Sequence, residues 1–99
     1  MKVYISGPIT GTDDYTERFE KAEEELREEG HVVVNPAKVN SNMPEESTHE
    51  DYMRVSLAMM EMCEVVYFLK SWEESRGCLE EFNYAVEHKM VITFEGGRG

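Results

Sequence analysis

The fold is decided by residues 64–70, Glu64-Val65-Val66-Tyr67-Phe68-Leu69-Lys70, which place five apolar residues in an unbroken run between two charged ones. A strand with one face in water alternates apolar and polar residues, whereas an unbroken apolar centre is typical of a strand buried on both faces of a sheet. Such strands belong to parallel sheets that are covered by helices on both sides. This stretch therefore predicts a parallel strand inside an α/β domain.

Strands and helices alternate along the rest of the chain. Short apolar or β-branched runs predict further strands at Lys2–Ser6, His31–Val34 and Met90–Phe94. Apolar residues at helical spacing predict three helices, marked by Tyr15, Phe19, Ala22 and Leu26, by Tyr52, Val55, Met59 and Met62, and by Cys78, Phe82 and Ala85. Strands separated by helices run mostly parallel, with right-handed crossovers. The prediction is an α/β fold: a small doubly wound (Rossmann- or flavodoxin-like) parallel sheet with helices on both faces, in one domain of residues 1–94 followed by a flexible tail of residues 95–99.

Local signals refine the connections between these elements. Residues 11–14, Gly-Thr-Asp-Asp, have the turn and N-cap chemistry of a helix start, and Gly30 is suited to the position after a helix end. Residues 37–47 are rich in turn formers and predict a loop. The Glu-rich residues 20–29 predict a solvated helix face.

The charge composition limits the possible partners. The 99 residues contain 21 Asp and Glu against 10 Lys and Arg, a formal net charge of -11, which predicts no nucleic-acid partner and no membrane partner. A small phosphorylated ligand is compatible with this charge, because backbone N–H groups bind phosphate locally. No apolar run could span a bilayer, no signal peptide is recognisable, and Cys63 and Cys78 form no CxxC motif, so we expect a cytoplasmic protein with reduced thiols. The histidines are scattered, which favours a protein without a metal or other cofactor.

Two loops are candidates for ligand binding. Ligands of doubly wound folds collect where the carboxyl ends of the strands meet, and residues 6–11 and 71–77 both follow a predicted strand and precede a helix. The first loop carries two glycines that allow close approach of a ligand, although a tight turn without a ligand explains them as well. In the second loop, Ser75 and Gly77 could offer a hydroxyl and an amide to a phosphate, or could be only an N-cap and a turn residue.

Glu81 is the candidate carboxylate. It lies one turn into the predicted third helix and points toward the loop end of the sheet, whereas Glu80 lies about 100° around the helix. In so acidic a sequence, a solvated helix face accounts for both glutamates equally well.

Three features of the chain combine into a resemblance. They are residues 4–11 (Tyr-Ile-Ser-Gly-Pro-Ile-Thr-Gly), the motif Trp72-x-x-Ser75-x-Gly77-Cys78, and Glu81 with Ala85. The chain resembles the nucleoside 2-deoxyribosyltransferase superfamily from Lys2 to about Phe94, and most closely its small DUF4406-type branch. Better-studied relatives include the 2-deoxynucleoside 5-monophosphate N-glycosidases.

The resemblance implies roles for several residues. Glu81 matches the family nucleophile, which attacks C1 of the deoxyribose and forms a glycosyl-enzyme intermediate. The implied substrate-binding residues are Ser6, Gly7, Pro8 and Gly11 in the first ligand loop, Asn35 in a pocket-lining segment, Ser75 and Gly77 in the phosphate loop, and Trp72, which is typical of the small branch. The implied partner is a small nucleoside or nucleotide. A homo-oligomer is also implied, and we expect the methionine-rich residues 53–62 to form one contact.

One residue departs from the family pattern. Active relatives carry an Asp that positions the nucleophile and assists proton transfer to the leaving base, and Ser56 stands at that position. A serine cannot act as a carboxylic acid at neutral pH. Two functions therefore stay open for this site: an N-glycosidase or deoxyribosyltransferase, and a nucleotide-binding protein without turnover that acts as a sensor or sponge. A third possibility, an acidic interaction protein without a ligand, leaves the two glycine-bearing loops unexplained.

Overall fold

The computed structural model describes residues 1–9 and 11–97. Thr10 of the first candidate loop and residues 98–99 of the predicted tail lie outside the described residues. The strands are β1 (Lys2–Ser6), β2 (Val32–Val34), β3 (Val65–Phe68) and β4 (Val91–Phe94). The α-helices are α1 (Tyr15–Glu28), α2 (Pro36–Asn40), α3 (His49–Glu61) and α4 (Arg76–Glu87). Trp72–Glu74 and Glu95–Gly97 each form a turn of 3₁₀-helix.

The four strands form one parallel sheet in the order β2-β1-β3-β4. Val3 of β1 is paired with Val33 of β2 on one side and with Val65 of β3 on the other. The chain leaves β1 for β2 and then crosses back to β3, so the strand order reverses between β1 and β3. This topology confirms the predicted doubly wound α/β fold and places its switch point at the carboxyl ends of β1 and β3.

A buried apolar layer lies on each face of the sheet. On one face, Phe19 and Leu26 of α1 pack against Val3 and Ile5 of β1. On the other face, Met60 of α3 and Ala85 of α4 join Tyr4, Val66 and Phe68. Residues that alternate along β1 therefore serve opposite layers, as the pleat of a strand requires.

Two local predictions are wrong. Residues 36–40, expected to lie largely in a loop, form α2, because Pro36 is well suited to the first turn of a helix and the Asn35 side chain accepts a hydrogen bond of 3.0 Å from the Ala37 N–H. At the start of α1, Asp14 is the N-cap, but its side chain makes no capping hydrogen bond with the described residues. The position of Gly30 just after α1 is confirmed by its φ of +93°.

The predicted apolar and solvated faces also need correction. Met62, expected to mark the apolar face of the second helix, is 57% exposed, whereas Met60 is fully buried. Glu23, expected on a solvated face, is buried between α1 and α2. Its carboxylate accepts hydrogen bonds from Arg27 Nε (2.8 Å) and Asn35 Nδ2 (3.1 Å) and pairs with Lys38 Nζ (3.0 Å).

The carboxyl ends of β3 and β4 are joined by Glu95. Its Oε1 accepts a hydrogen bond of 2.8 Å from the Lys70 N–H and lies 3.9 Å from Arg18 Nη2.

Among the helices that the structure describes, none combines the length and the apolar character needed to cross a membrane.

Candidate active site

A cleft of about 880 Å³ opens at the carboxyl ends of β1 and β3. Its walls are the loop after β1, the inward face of α3, and the first turns of α4. It therefore lies at the switch point of the sheet, where doubly wound folds bind their ligands. Both predicted ligand loops, as far as the structure describes them, contribute to its lining.

Glu81 lies at the floor of this cleft and is only 6% exposed. Both of its carboxylate oxygens are held by hydroxyl groups from β1. The Ser6 hydroxyl donates to Oε1 at 2.6 Å, and the Tyr4 hydroxyl donates to Oε2 at 2.7 Å. Tyr4 and Ser6 are two residues apart on one strand, so their side chains project from the same face of the sheet toward α4.

The surroundings of Glu81 shift the pKa of its carboxyl group in two opposite directions. Burial raises the pKa of the Glu81 carboxyl group, while hydrogen bonds from Ser6, Tyr4 and Ser56 lower it in part. Burial, together with the neighbouring Glu81 charge, also raises the pKa of Tyr4 well above its usual value, so that Tyr4 keeps its proton and stays a donor. The arrangement is suited to a carboxylate that is fixed in orientation and poorly solvated, as a nucleophile toward a carbon centre requires.

Ser56 faces the same carboxylate from α3. It is 5% exposed and lines the cleft, and its hydroxyl lowers the pKa values of both Tyr4 and Glu81 in part. The position where active relatives are expected to carry an Asp is therefore next to Glu81, but here it supplies a hydroxyl group instead of a carboxylic acid.

The second loop forms the N-terminus of α4 at the side of the cleft. Ser75 is the N-cap, and its hydroxyl oxygen accepts a hydrogen bond of 3.2 Å from the Cys78 N–H. Gly77 and Arg76 line the cleft beside it, and Arg18 reaches the cleft from α1. The N-terminus of a twelve-residue helix with two arginines nearby is a favourable environment for an anion, despite the negative charge of the whole protein.

The first loop lines the opposite wall through Gly7, Pro8 and Gly11. A Cβ atom on Gly7 would lie 2.7 Å from Cδ1 of the buried Leu69, which follows β3, so this packing by itself favours glycine there. Gly11 has a φ of +81°, with open space around the position of a Cβ atom. Close packing thus explains Gly7 and the backbone conformation explains Gly11, and the backbone of the loop lies at the cleft wall.

Asn35 and Trp72 are not brought to the cleft. Both polar atoms of the Asn35 side chain form hydrogen bonds away from the cleft. Its Nδ2 donates to the Glu23 carboxylate, and its Oδ1 accepts from the Ala37 N–H. Trp72 stacks on Phe82, with ring centroids 4.9 Å apart and planes inclined by 19°, and it also contacts Phe68 and Phe94. These contacts give the two residues structural roles, as a helix cap and as part of an aromatic cluster.

Several residues of the cleft were not predicted from the sequence, among them Tyr4, Arg18 and His49. Tyr4 was placed in a strand and in the family motif without a role at the site, although its two-residue spacing from Ser6 was a signal that the two side chains share one face. His49 begins α3, lines the cleft, and bonds through Nε2 to Glu80 Oε2 at 2.5 Å. No sequence signal connected His49 with Glu80, which is 31 residues away.

Comparisons with known proteins agree with this fold. The structure is similar to a 2-deoxyribosyltransferase from the psychrotolerant bacterium Bacillus psychrosaccharolyticus, a biocatalyst for nucleoside synthesis, with a TM-score of 0.75 and 17% sequence identity over 95% of this chain and 71% of that chain. No curated protein matches the sequence significantly. The model of a family described as a domain of unknown function, DUF4406, matches residues 1–94. The chain therefore belongs to the DUF4406 family and has the fold of a 2-deoxyribosyltransferase.

Proposed function

We propose that the protein cleaves or exchanges the N-glycosidic bond of a 2-deoxynucleoside or 2-deoxynucleotide, with Glu81 as the nucleophile. The observation that carries this proposal is the buried Glu81 carboxylate at the floor of the cleft, with one β1 hydroxyl on each of its oxygens. The fold shared with a 2-deoxyribosyltransferase supports the same reading.

The chemistry follows that of a retaining glycosidase. One Glu81 oxygen attacks C1 of the sugar while the bond from C1 to the base breaks through an oxocarbenium-like transition state, and a covalent glycosyl ester forms. Water, or the nitrogen of a second base, then attacks C1 and releases the carboxylate. Tyr4 and Ser6 hold the carboxylate in one orientation through both steps.

The cleft also supports a monophosphate as the substrate. The sugar would lie over Glu81, with its 5-phosphate at the N-terminus of α4 near Ser75 and Gly77, within reach of Arg18 and Arg76. The loop of Gly7, Pro8 and Gly11 would form the opposite wall. A net charge of -11 disfavours a polyanionic nucleic acid, whereas one phosphate can be neutralised locally by these groups.

A second candidate function, nucleotide binding without turnover, is favoured by Ser56. A serine beside Glu81 cannot protonate a leaving base, so the cleft could bind a nucleotide and leave its glycosidic bond intact. Such a protein would act as a sensor or a sponge for a small nucleotide.

Product analysis separates the two functions. The protein is incubated with each 2-deoxynucleoside and its 5-monophosphate, with and without a second free base, and the products are separated by chromatography. We expect free base or an exchanged nucleoside from the wild-type protein, and a rate lower by about 10³-fold or more from Glu81→Gln, because the amide cannot form the ester.

The matched control is Glu87→Gln, which removes the same charge from an exposed position on α4 and should keep the wild-type rate. Exchange that requires the second base would identify a transferase. Binding by calorimetry without any product would contradict the catalytic proposal and support the second candidate. Equal loss of activity in both variants would contradict the role of Glu81.

The proposal includes a homo-oligomer with residues 53–62 in one contact. Support comes from Met62 at the end of this stretch, which exposes 57% of its surface although methionine is apolar. We expect light scattering after size exclusion to give at least twice the monomer mass of 11.5 kDa, and Met62→Glu to lower it. A monomeric wild-type protein would exclude the oligomer.

A further inference from the structure

The proposed reaction needs an acid that Ser56 does not supply. When the bond from C1 to the base breaks, its electron pair stays on the base, and a base that departs without a proton is a poor leaving group. This inference rests on the proposed function and asks which group of the cleft provides that proton.

Most ionisable side chains that line the cleft are unsuited to the task. The Tyr4 hydroxyl already donates a hydrogen bond to Glu81 and has a pKa well above its usual value, and burial raises the pKa of the Cys78 thiol. Arginines do not release their proton in proteins, and phenols such as those of Tyr15 and Tyr52 are weak acids near neutral pH.

Two lining side chains are left among the described residues, Glu74 and His49. Glu74 is exposed, whereas the ring of His49 is held by Glu80. Histidine is the side-chain type that exchanges protons near neutral pH.

His49 and Ser56 lie on the same face of α3. They are seven residues apart, which is two turns of helix and about 10 Å along its axis. Ser56 is 5% exposed and the His49 side chain is 34% exposed, so His49 lies nearer the rim of the cleft. His49 and Glu81 line the same cleft, so the base of a substrate whose sugar sits on Glu81 can come within reach of the His49 ring.

Glu80 holds the imidazole ring of His49 from the neighbouring helix. The contact joins His49 Nε2 to Glu80 Oε2 and leaves Nδ1 as the second ring nitrogen. Arg76 of α4 faces the same carboxylate, with Nε 3.8 Å from Glu80 Oε2. On α3, Glu50 is exposed, and the Asp51 carboxylate accepts a hydrogen bond of 2.9 Å from the Thr48 N–H. A carboxylate on one nitrogen of an imidazole fixes the orientation of the ring, as in other catalytic histidine pairs.

We propose that His49 is the proton donor to the leaving base and that Glu80 is its positioning residue. As the bond between C1 and the base breaks, its electron pair goes to the base, the Nδ1–H of the imidazolium gives its proton to a ring atom of the base, and a Glu81 oxygen bonds to C1. The neutral imidazole then takes a proton from the water that attacks C1, and the bond to Glu81 breaks to restore the carboxylate.

Leaving groups of different basicity test this role. The variants His49→Gln and Glu80→Gln are compared with the wild-type protein on the 2-deoxynucleoside or monophosphate that it cleaves, and on 4-nitrophenyl 2-deoxyriboside, whose nitrophenolate departs without a proton. For His49→Gln we expect kcat with the nucleoside substrate to fall by about 10²–10⁴-fold, and kcat with the nitrophenyl substrate to stay within about threefold. Glu80→Gln should show the same selectivity with a smaller loss.

The pH profile is the second measurement. With the nucleoside substrate, the wild-type rate should fall at high pH, where a general acid has lost its proton, and His49→Gln should lose this limb. His88→Gln is the matched control, because His88 is exposed at the far end of α4. Turnover of the nitrophenyl substrate also reports that each variant has folded.

Three outcomes would overturn the inference. An equal loss on both substrates would make His49 a structural residue, and an unchanged rate on the nucleoside substrate would show that another group delivers the proton. A wild-type protein that cleaves only the nitrophenyl substrate would show that the cleft lacks a proton donor, while the glycosyl chemistry of Glu81 holds. If the wild-type protein cleaves neither substrate, the proposed function fails and the role of His49 fails with it.

Discussion

The Glu81→Gln variant is expected to be more stable than the wild-type protein at neutral pH, although it has lost the proposed nucleophile. Burial raises the pKa of Glu81 because a charged carboxylate is poorly solvated at the floor of the cleft. A group whose pKa is raised by folding favours the folded state while it is protonated, and this contribution is lost as the pH rises through the folded pKa. A glutamine is neutral at every pH, so its contribution to stability does not fall as the pH rises. Its amide group can still form hydrogen bonds with Ser6 and Tyr4.

Urea unfolding at two pH values measures this effect. At pH 4, near the usual pKa of a glutamate, the variant and the wild-type protein should be close in free energy of unfolding, whereas at pH 7.5 the variant should be more stable. Glu87→Gln again serves as control, since it removes one charge from the same helix and corrects for the relief of the net charge of -11. A difference that does not change with pH, or a less stable Glu81→Gln variant at pH 7.5, would contradict the prediction.

The Glu23→Gln variant, in contrast, is expected to be less stable than the wild-type protein at neutral pH. Although burial by itself raises the pKa of Glu23, the hydrogen bonds from Arg27 and Asn35 and the pairing with Lys38 outweigh it and lower the pKa to about 2. A lowered pKa stabilises the folded state above the unfolded pKa, and this stabilisation is lost as the pH falls from about 4.5 to about 2. Since Arg27 and Lys38 are more than half exposed, solvent screening reduces the effect. We expect the variant to lose about 2 kcal/mol of unfolding free energy at pH 7.

The measurement is again urea unfolding, now at pH 7 and pH 3. Glu24→Gln is the matched control, because Glu24 is the next residue of α1 and is exposed. The destabilisation by Glu23→Gln should be smaller at pH 3, because the Glu23 carboxylate of the wild-type protein has lost part of its stabilising effect at that pH. A loss of similar size in Glu24→Gln would show that the buried network of Glu23 is not responsible for the destabilisation.

The elements of the fold could be predicted because their signals are local. The unbroken apolar run in residues 64–70 identified a strand buried on both faces, and the spacing of Phe19, Ala22 and Leu26 identified the buried face of α1. The parallel direction of the strands then followed from the alternation of strands and helices, whereas their order in the sheet was not predicted. The short α2 was missed because five residues are too few to show a helical period, and its cap at Asn35 also fits a turn.

The site could be predicted only in part, because its contacts join distant parts of the chain. Glu81 was identified from its place after the second loop, but the hydroxyls that hold it come from β1. Glu23 was assigned to the surface by its acidic neighbours, and the partners that bury it include Asn35 and Lys38 beyond the next strand. In the same way, the contact between His49 and Glu80 exists only because α3 and α4 lie side by side.

The sequence separation within the site has a consequence for assays of binding. Tyr4 and Ser6 lie 77 and 75 residues before Glu81, so closing the site requires the ordering of almost the whole chain. A molecule that occupies the closed site thus binds the native state alone and is released when the domain unfolds. By mass action, a ligand at 100 times its dissociation constant adds about 2.7 kcal/mol to global stability. A shift of the melting temperature can therefore screen a nucleotide library without any knowledge of the reaction.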